Sequence, residues 1–118
     1  MKRLLLLPAL LVLLFAQCRK EQLLKVTYVV YEDSQDAPEY TITYTADKTG
    51  ATAIASANRA GWESATMLLE PGQFVSMKVE CNAPLFDIRF KILVNGYIFK
   101  QEEHMSNPTS SKTISGNL

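Results

Sequence analysis

The stretch FDIRFKILVNGYIFKQEE, residues 86–103, admits few folds. Phe86, Ile88, Phe90, Ile92 and Val94 alternate with Asp87, Arg89 and Lys91, and a period of two puts one set on each face of a strand. The alternation stops at Asn95-Gly96. An Asn-Gly pair between alternating runs is the strongest short-range hairpin signal, because a type I′ turn needs positive φ at both central positions. A lone hairpin is marginal in water, so its apolar face demands further strands to cover it.

The rest of the chain supplies them. LKVTYVVYE, residues 24–32, places Val26, Tyr28 and Val30 on one face and Thr27, Val29 and Tyr31 on the other. YTITYT, residues 40–45, turns Tyr40, Ile42 and Tyr44 inward and its three threonines to water, and Asp47-Lys48-Thr49-Gly50 follows as a turn. ATAIASA, residues 51–57, suits a helix or an edge strand by composition; its seven residues are too short for a stable helix, so a strand is expected. Trp62 opens the run WESATMLL, which ends at Glu70-Pro71-Gly72-Gln73, a type II turn with Gly at the position needing positive φ. FVSMKVEC then points Val75, Met77, Val79 and Cys81 one way and Ser76, Lys78 and Glu80 the other. HMSNPTSS, His104 to Ser111, reads as a polar loop, and KTISGNL as a final strand. The expected fold is an all-β sandwich or barrel of seven or eight mostly antiparallel strands.

The N-terminus belongs to none of this. Met1-Lys2-Arg3 precedes the uncharged run Leu4 to Ala16, the layout of a secretory signal. That run is shorter than the roughly 20 residues a membrane-spanning helix needs. Cys18 follows it directly, and LFAQC resembles the loose lipobox of Bacteroidota-type lipoproteins, in which cleavage precedes a cysteine that carries lipid on its sulfur. The expected organisation is a lipoprotein signal peptide at 1–17, a lipidated Cys18 with its tether at 18–23, and one domain at 24–118. Stable attachment implies the several acyl chains of a mature lipoprotein, since one chain holds only marginally. The expected location is the bacterial outer membrane, with the domain facing either the periplasm or the surface.

Charge and side-chain inventory narrow the function. The chain has 12 basic and 12 acidic residues, and Lys2 and Arg3 leave with the signal, so the mature protein is slightly acidic and offers no field for nucleic acid. Cys18 and Cys81 are the two cysteines and can in principle form a disulfide. With Cys18 at the signal boundary, Cys81 is expected instead as a core thiol behaving like a small hydrophobe. His104 is the single histidine, and beside Glu102 and Glu103 it suggests a solvated loop more than a metal site. Oxygen ligands at Glu32, Asp33, Asp36 and Glu39 raise a calcium site, but without the regular spacing or glycine of a known loop the stretch reads as a polar strand connection. Trp62 is the candidate ligand-binding residue, a stacking platform for sugar or a core-edge anchor. Tyr31, Tyr40, Tyr44 and Tyr97 are ordinary strand formers that a binding surface can also use. No acid, base and nucleophile set is assembled, so no catalytic residue and no cofactor is expected.

The order VTYVVY, YTITYT, the Trp62 run, EPGQFVSMKV, FKILVNGYIFK and a terminal SGNL, covering most of residues 25 to 118, resembles the extracytoplasmic domain of the mycobacterial membrane protein small (MmpS) family and of similarly built small Bacteroidota lipoproteins. The resemblance implies an immunoglobulin-like or transthyretin-like β-sandwich, and a role as accessory partner of an envelope transport complex. The mycobacterial proteins join the first strand of the hairpin to the last strand by a disulfide; this chain has no cysteine in either segment, and Cys81 lies one strand too early to substitute. A non-enzymatic binding or accessory module is therefore expected, held to the membrane by lipid on Cys18 with an envelope protein as partner; the alternative is a surface lipoprotein that binds a carbohydrate or lipidic ligand.

Overall fold

A computed structural model describes residues 22–32, 39–57, 61–82, 87–106 and 109–118. Cys18, Phe86, Asp33, Asp36 and the side chain of Glu32 lie outside the described residues, and with them the lipidation site and most of the calcium candidate. The strands are β1 (Leu24–Glu32), β2 (Tyr40–Thr45), β3 (Thr52–Ala57), β4 (Trp62–Glu63), β5 (Met67–Leu69), β6 (Phe74–Cys81), β7 (Asp87–Val94), β8 (Tyr97–Ser106) and β9 (Ser111–Asn117). They form two antiparallel sheets packed as a sandwich. One sheet runs β4-β1-β7-β8, with β5 also on β1, and the other runs β3-β2-β6-β9.

The core lies between the two inner faces. Val26, Tyr28, Val30, Leu69, Ile88, Phe90, Ile92 and Met105 come from the first sheet, and Tyr40, Ile42, Val75, Met77, Val79, Cys81 and Ile114 from the second. These are the inward positions of the alternating runs, each large apolar one contributing roughly 1.5–3 kcal/mol when fully buried. Tyr28 also ties the sheets together, because its hydroxyl crosses the core and donates to the Thr45 carbonyl at 2.8 Å. Burial pushes its pKa up to about 12.

The turns follow their residue types. Asn95 and Gly96 have φ of 51° and 84°, as a type I′ hairpin requires. Asn95 adds a second function: its backbone N–H donates to the Lys25 carbonyl at 2.8 Å and its Oδ1 accepts from the Lys25 N–H at 3.0 Å. Gly72 takes φ 83°, and Gln73 N–H closes the 70–73 turn on Glu70 at 3.2 Å. The alanine-rich run is an edge strand, β3, paired in unbroken register with β2.

Three details depart from the expected pattern. The Trp62 run is two short strands rather than one, which raises the count to nine. Val26 pairs with Met67 while Val30 pairs with Trp62, so this edge holds one residue more than β1 between those points. Ser64 bridges the gap: its Oγ accepts the Tyr28 N–H at 2.9 Å, and its own N–H donates to the Tyr28 carbonyl at 2.9 Å. Secondly, His104, Met105 and Ser106 are strand and not loop. A one-residue register shift between Ile88 and Phe90 lies opposite residues 103 and 104 of β8, and this bulge returns Met105 to the core, where it is buried. Thirdly, Thr45 is buried rather than facing water, because its Oγ1 accepts the Ser76 N–H at 3.1 Å while its carbonyl receives the Tyr28 hydroxyl.

Candidate functional site

The outer faces of the two sheets differ in chemistry. On the second sheet, Thr41 and Thr43 of β2, Ser56 of β3, Ser111, Thr113 and Ser115 of β9 and the ion pair Lys78–Glu80, 3.2 Å, form a hydroxyl-rich surface that also carries the exposed Ile54 of β3. On the first sheet, β1 brings Tyr31 opposite Arg89 of β7 and Val29 opposite Lys91. The bulge in β8 sets Glu103 and His104 beside them, and the result is a groove of about 500 Å³.

Within the groove the side chains are mutually positioned. Lys91 Nζ stands 4.6 Å over the Tyr31 ring, a cation–π contact, and Tyr31 remains partly exposed. His104 Nδ1 lies 3.2 Å from Asp87 Oδ1, with side chains 61% and 40% exposed. A pair this open to water is a weak surface interaction. Gln101 Nε2 donates to Glu103 Oε1 at 3.3 Å. The groove thus offers an aromatic face, cations and carboxylates together.

Trp62 sits at the other margin of the same sheet. It is half-buried, its ring centroid 5.4 Å from Tyr44, which in turn lies 5.0 Å from Tyr28. One side of the indole packs against the core, and the other joins Val29, Tyr31, Gly61 and Glu63 around a shallow recess of about 300 Å³. Tyr31 lines both hollows, so groove and recess are neighbours on one surface. Cys81 is a free thiol, 2% exposed, among Val75, Met77 and Val79. Among the described residues, no three His, Cys, Asp or Glu side chains converge as a metal set. Also among them, no helix is long and apolar enough to cross a membrane.

Sequence reasoning singled out Trp62 but missed the groove. Its available signal was Tyr31 at outward parity opposite the charges of β7; the β8 bulge that brings Glu103 and His104 to them has no residue signature. Protein-family models give no match to this chain, and neither do curated proteins.

Proposed function

We propose that the protein is a lipid-anchored, non-enzymatic binding or accessory module of the bacterial envelope, held at the outer membrane by acyl chains on Cys18. The observation that carries this reading is Cys81: a free thiol at 2% exposure in the core is committed to packing, which leaves Cys18 for modification. The binding surface is the outer face of the first sheet, where Tyr31, Arg89, Lys91 and His104 line the groove, and its partner is an envelope protein such as a component of a transport complex. A second reading, a carbohydrate or lipidic ligand stacked on Trp62, draws support from the recess that Trp62 shares with Tyr31.

Fractionation of cells expressing the full chain tests the anchor. Wild type is expected with the membranes and Cys18→Ala in the soluble fraction; a Cys18→Ala chain that stays with the membranes refutes acyl chains as the anchor. Affinity purification from those membranes tests the surface. Lys91→Glu is expected to lose the captured partner and Thr113→Glu, on the opposite sheet, to keep it. Equal capture by both variants removes the groove from the binding surface, and a glycan that shifts Trp62 emission favours the second reading.

A further inference from the structure

The end of the sandwich at which β1 begins is closed and tightly bonded. Lys25 is held by Asn95 through two hydrogen bonds, Gly72 N–H donates to the Leu118 carbonyl at 2.6 Å, and Leu118 N–H donates to Gln73 at 2.9 Å. Gln73 Nε2 reaches the Asp47 carbonyl at 2.7 Å. The 47–50 and 70–73 turns and Leu118 are thereby joined, and the 95–96 turn is fastened separately to the start of β1, so that this end forms one platform.

This platform carries most of the exposed apolar bulk. Six large hydrophobic residues are exposed among the described residues: Tyr31, Ile54, Leu68, Phe74, Tyr97 and Ile98. Four of them ring the β1-start end. Leu68 pairs with Lys25, Phe74 with Asn117, Tyr97 with Val94 and Ile98 with Leu93. Each lies within about two residues, roughly 7 Å, of the strand ends. They sit on both sheets, so they form a collar around one end and not a patch on one face. Tyr97, the outermost, is 79% exposed at the hairpin tip.

We propose that this end rests on the lipid bilayer, with Leu68, Phe74, Tyr97 and Ile98 entering the headgroup boundary. The proposal rests on acylation of Cys18. Five residues, 19–23, lie between Cys18 and Leu24, and the six steps from one to the other span at most about 22 Å when fully extended, less than the length of β1 itself. The tether therefore keeps the start of β1 within about 22 Å of the surface, and the end it enters is the end that carries the collar. Apolar and aromatic side chains settle about 5–10 Å into that boundary, and tyrosine suits it because its ring is apolar and its hydroxyl wet. Lys25 and Lys48 lie at this end, but so do Asp47 and Glu70, so the contact is apolar and independent of anionic lipid. A consequence is orientation. Tyr31, near the far end of β1, and Arg89 opposite it hold the groove away from the membrane, open to a partner.

The test uses purified, acylated mature protein in phosphatidylcholine vesicles whose acyl chains are brominated. Trp62 is the only native tryptophan and lies towards the far end, where it pairs with Val30, so wild-type emission is expected to persist. Tyr97→Trp is expected to lose about half of its added emission, as an indole about 5–10 Å deep approaches the brominated carbons. Phe74→Trp, on the other sheet, carries the same expectation, and Tyr31→Trp should be unquenched. Anchored protein in which neither Tyr97→Trp nor Phe74→Trp is quenched overturns the platform while leaving acylation intact. A Cys18→Ala chain that binds the vesicles with quenched reporters overturns the acyl chains as the necessary anchor and supports the collar as a membrane-binding surface in its own right.

Discussion

The two sheets share one core but obey different rules outside it. The ladder β3-β2-β6-β9 runs without a single register shift, and its outer face is rich in hydroxyls. In β4-β1-β7-β8 the central pair β1–β7 is equally regular, yet both edges carry extra residues, one between β4 and β5 and two along β8. The recess and the groove lie beside those edges. Concavity in this molecule follows from insertions at strand edges, where a bulge re-aims side chains without disturbing the core. The bulges also spoil these edges as templates for another strand, a protection that the straight, uncharged β3 lacks.

The largest expected effect comes from Tyr28, where the irregular sheet is tied to the regular one. Its hydroxyl is buried, and burial holds its pKa at about 12 against 10.0 for the ordinary side chain. The folded state thus keeps a proton that the unfolded chain releases near pH 10. Stability is full below that pH and falls as pH rises towards 12, by up to about 3 kcal/mol at about 1.4 kcal/mol per unit. Urea unfolding between pH 9 and 12 checks this, and Tyr28→Phe should flatten the decline. An unchanged slope in that variant would remove Tyr28 as the alkaline-sensitive tie.

A smaller effect separates the sheets directly. Ser64→Ala takes away the acceptor that Tyr28 N–H finds at the β4–β5 gap, and a buried donor left unsatisfied costs about 1–3 kcal/mol. Ser115→Ala, on the exposed face of the regular sheet, should stay within about 0.5 kcal/mol. Chemical denaturation of both variants measures the difference. Equal losses would mean that the insertion is absorbed by relaxation and that the hydroxyl does not support the ladder.

The regular ladders were legible in the sequence and the irregular edges were not, for one physical reason. Alternation, β-branched residues and turn dipeptides act locally, and they located β1, β2, β6, β7 and the 70–73 and 95–96 turns. A bulge is settled by what the neighbouring strand offers. WESATMLL contains nothing that says its third residue must bond sideways to Tyr28. HMSNPTSS looked like a loop because its polar residues outnumber Met105, and only the insertion at 103 and 104 returns that methionine to the core. Trp62 was visible as a lone tryptophan. The Tyr31 groove depends on pairing across three strands.

The smallest effect tests how the two sheets close on each other. On β8, the register shift between Ile92 and Leu93, nearer the hairpin than the bulge that buries Met105, sets Glu102 opposite Phe90, on the inward side of the edge. On β9, Lys112 pairs with Val79 and shares its inward parity. The two charges meet across the seam at 3.4 Å, with side chains 23% and 46% exposed. Further along, Gly116 leaves room for Phe99 and Lys100, since a Cβ there would meet them at 3.0 and 2.9 Å. The seam is therefore mainly packing, with the ion pair at its wet margin, and Lys112→Ala should cost less than about 1 kcal/mol. The cost should vanish near 1 M salt, where the screening length is about 3 Å. A larger, salt-resistant loss would show instead that the pair is desolvated and that the register shift near the hairpin is needed to deliver Glu102 to the seam.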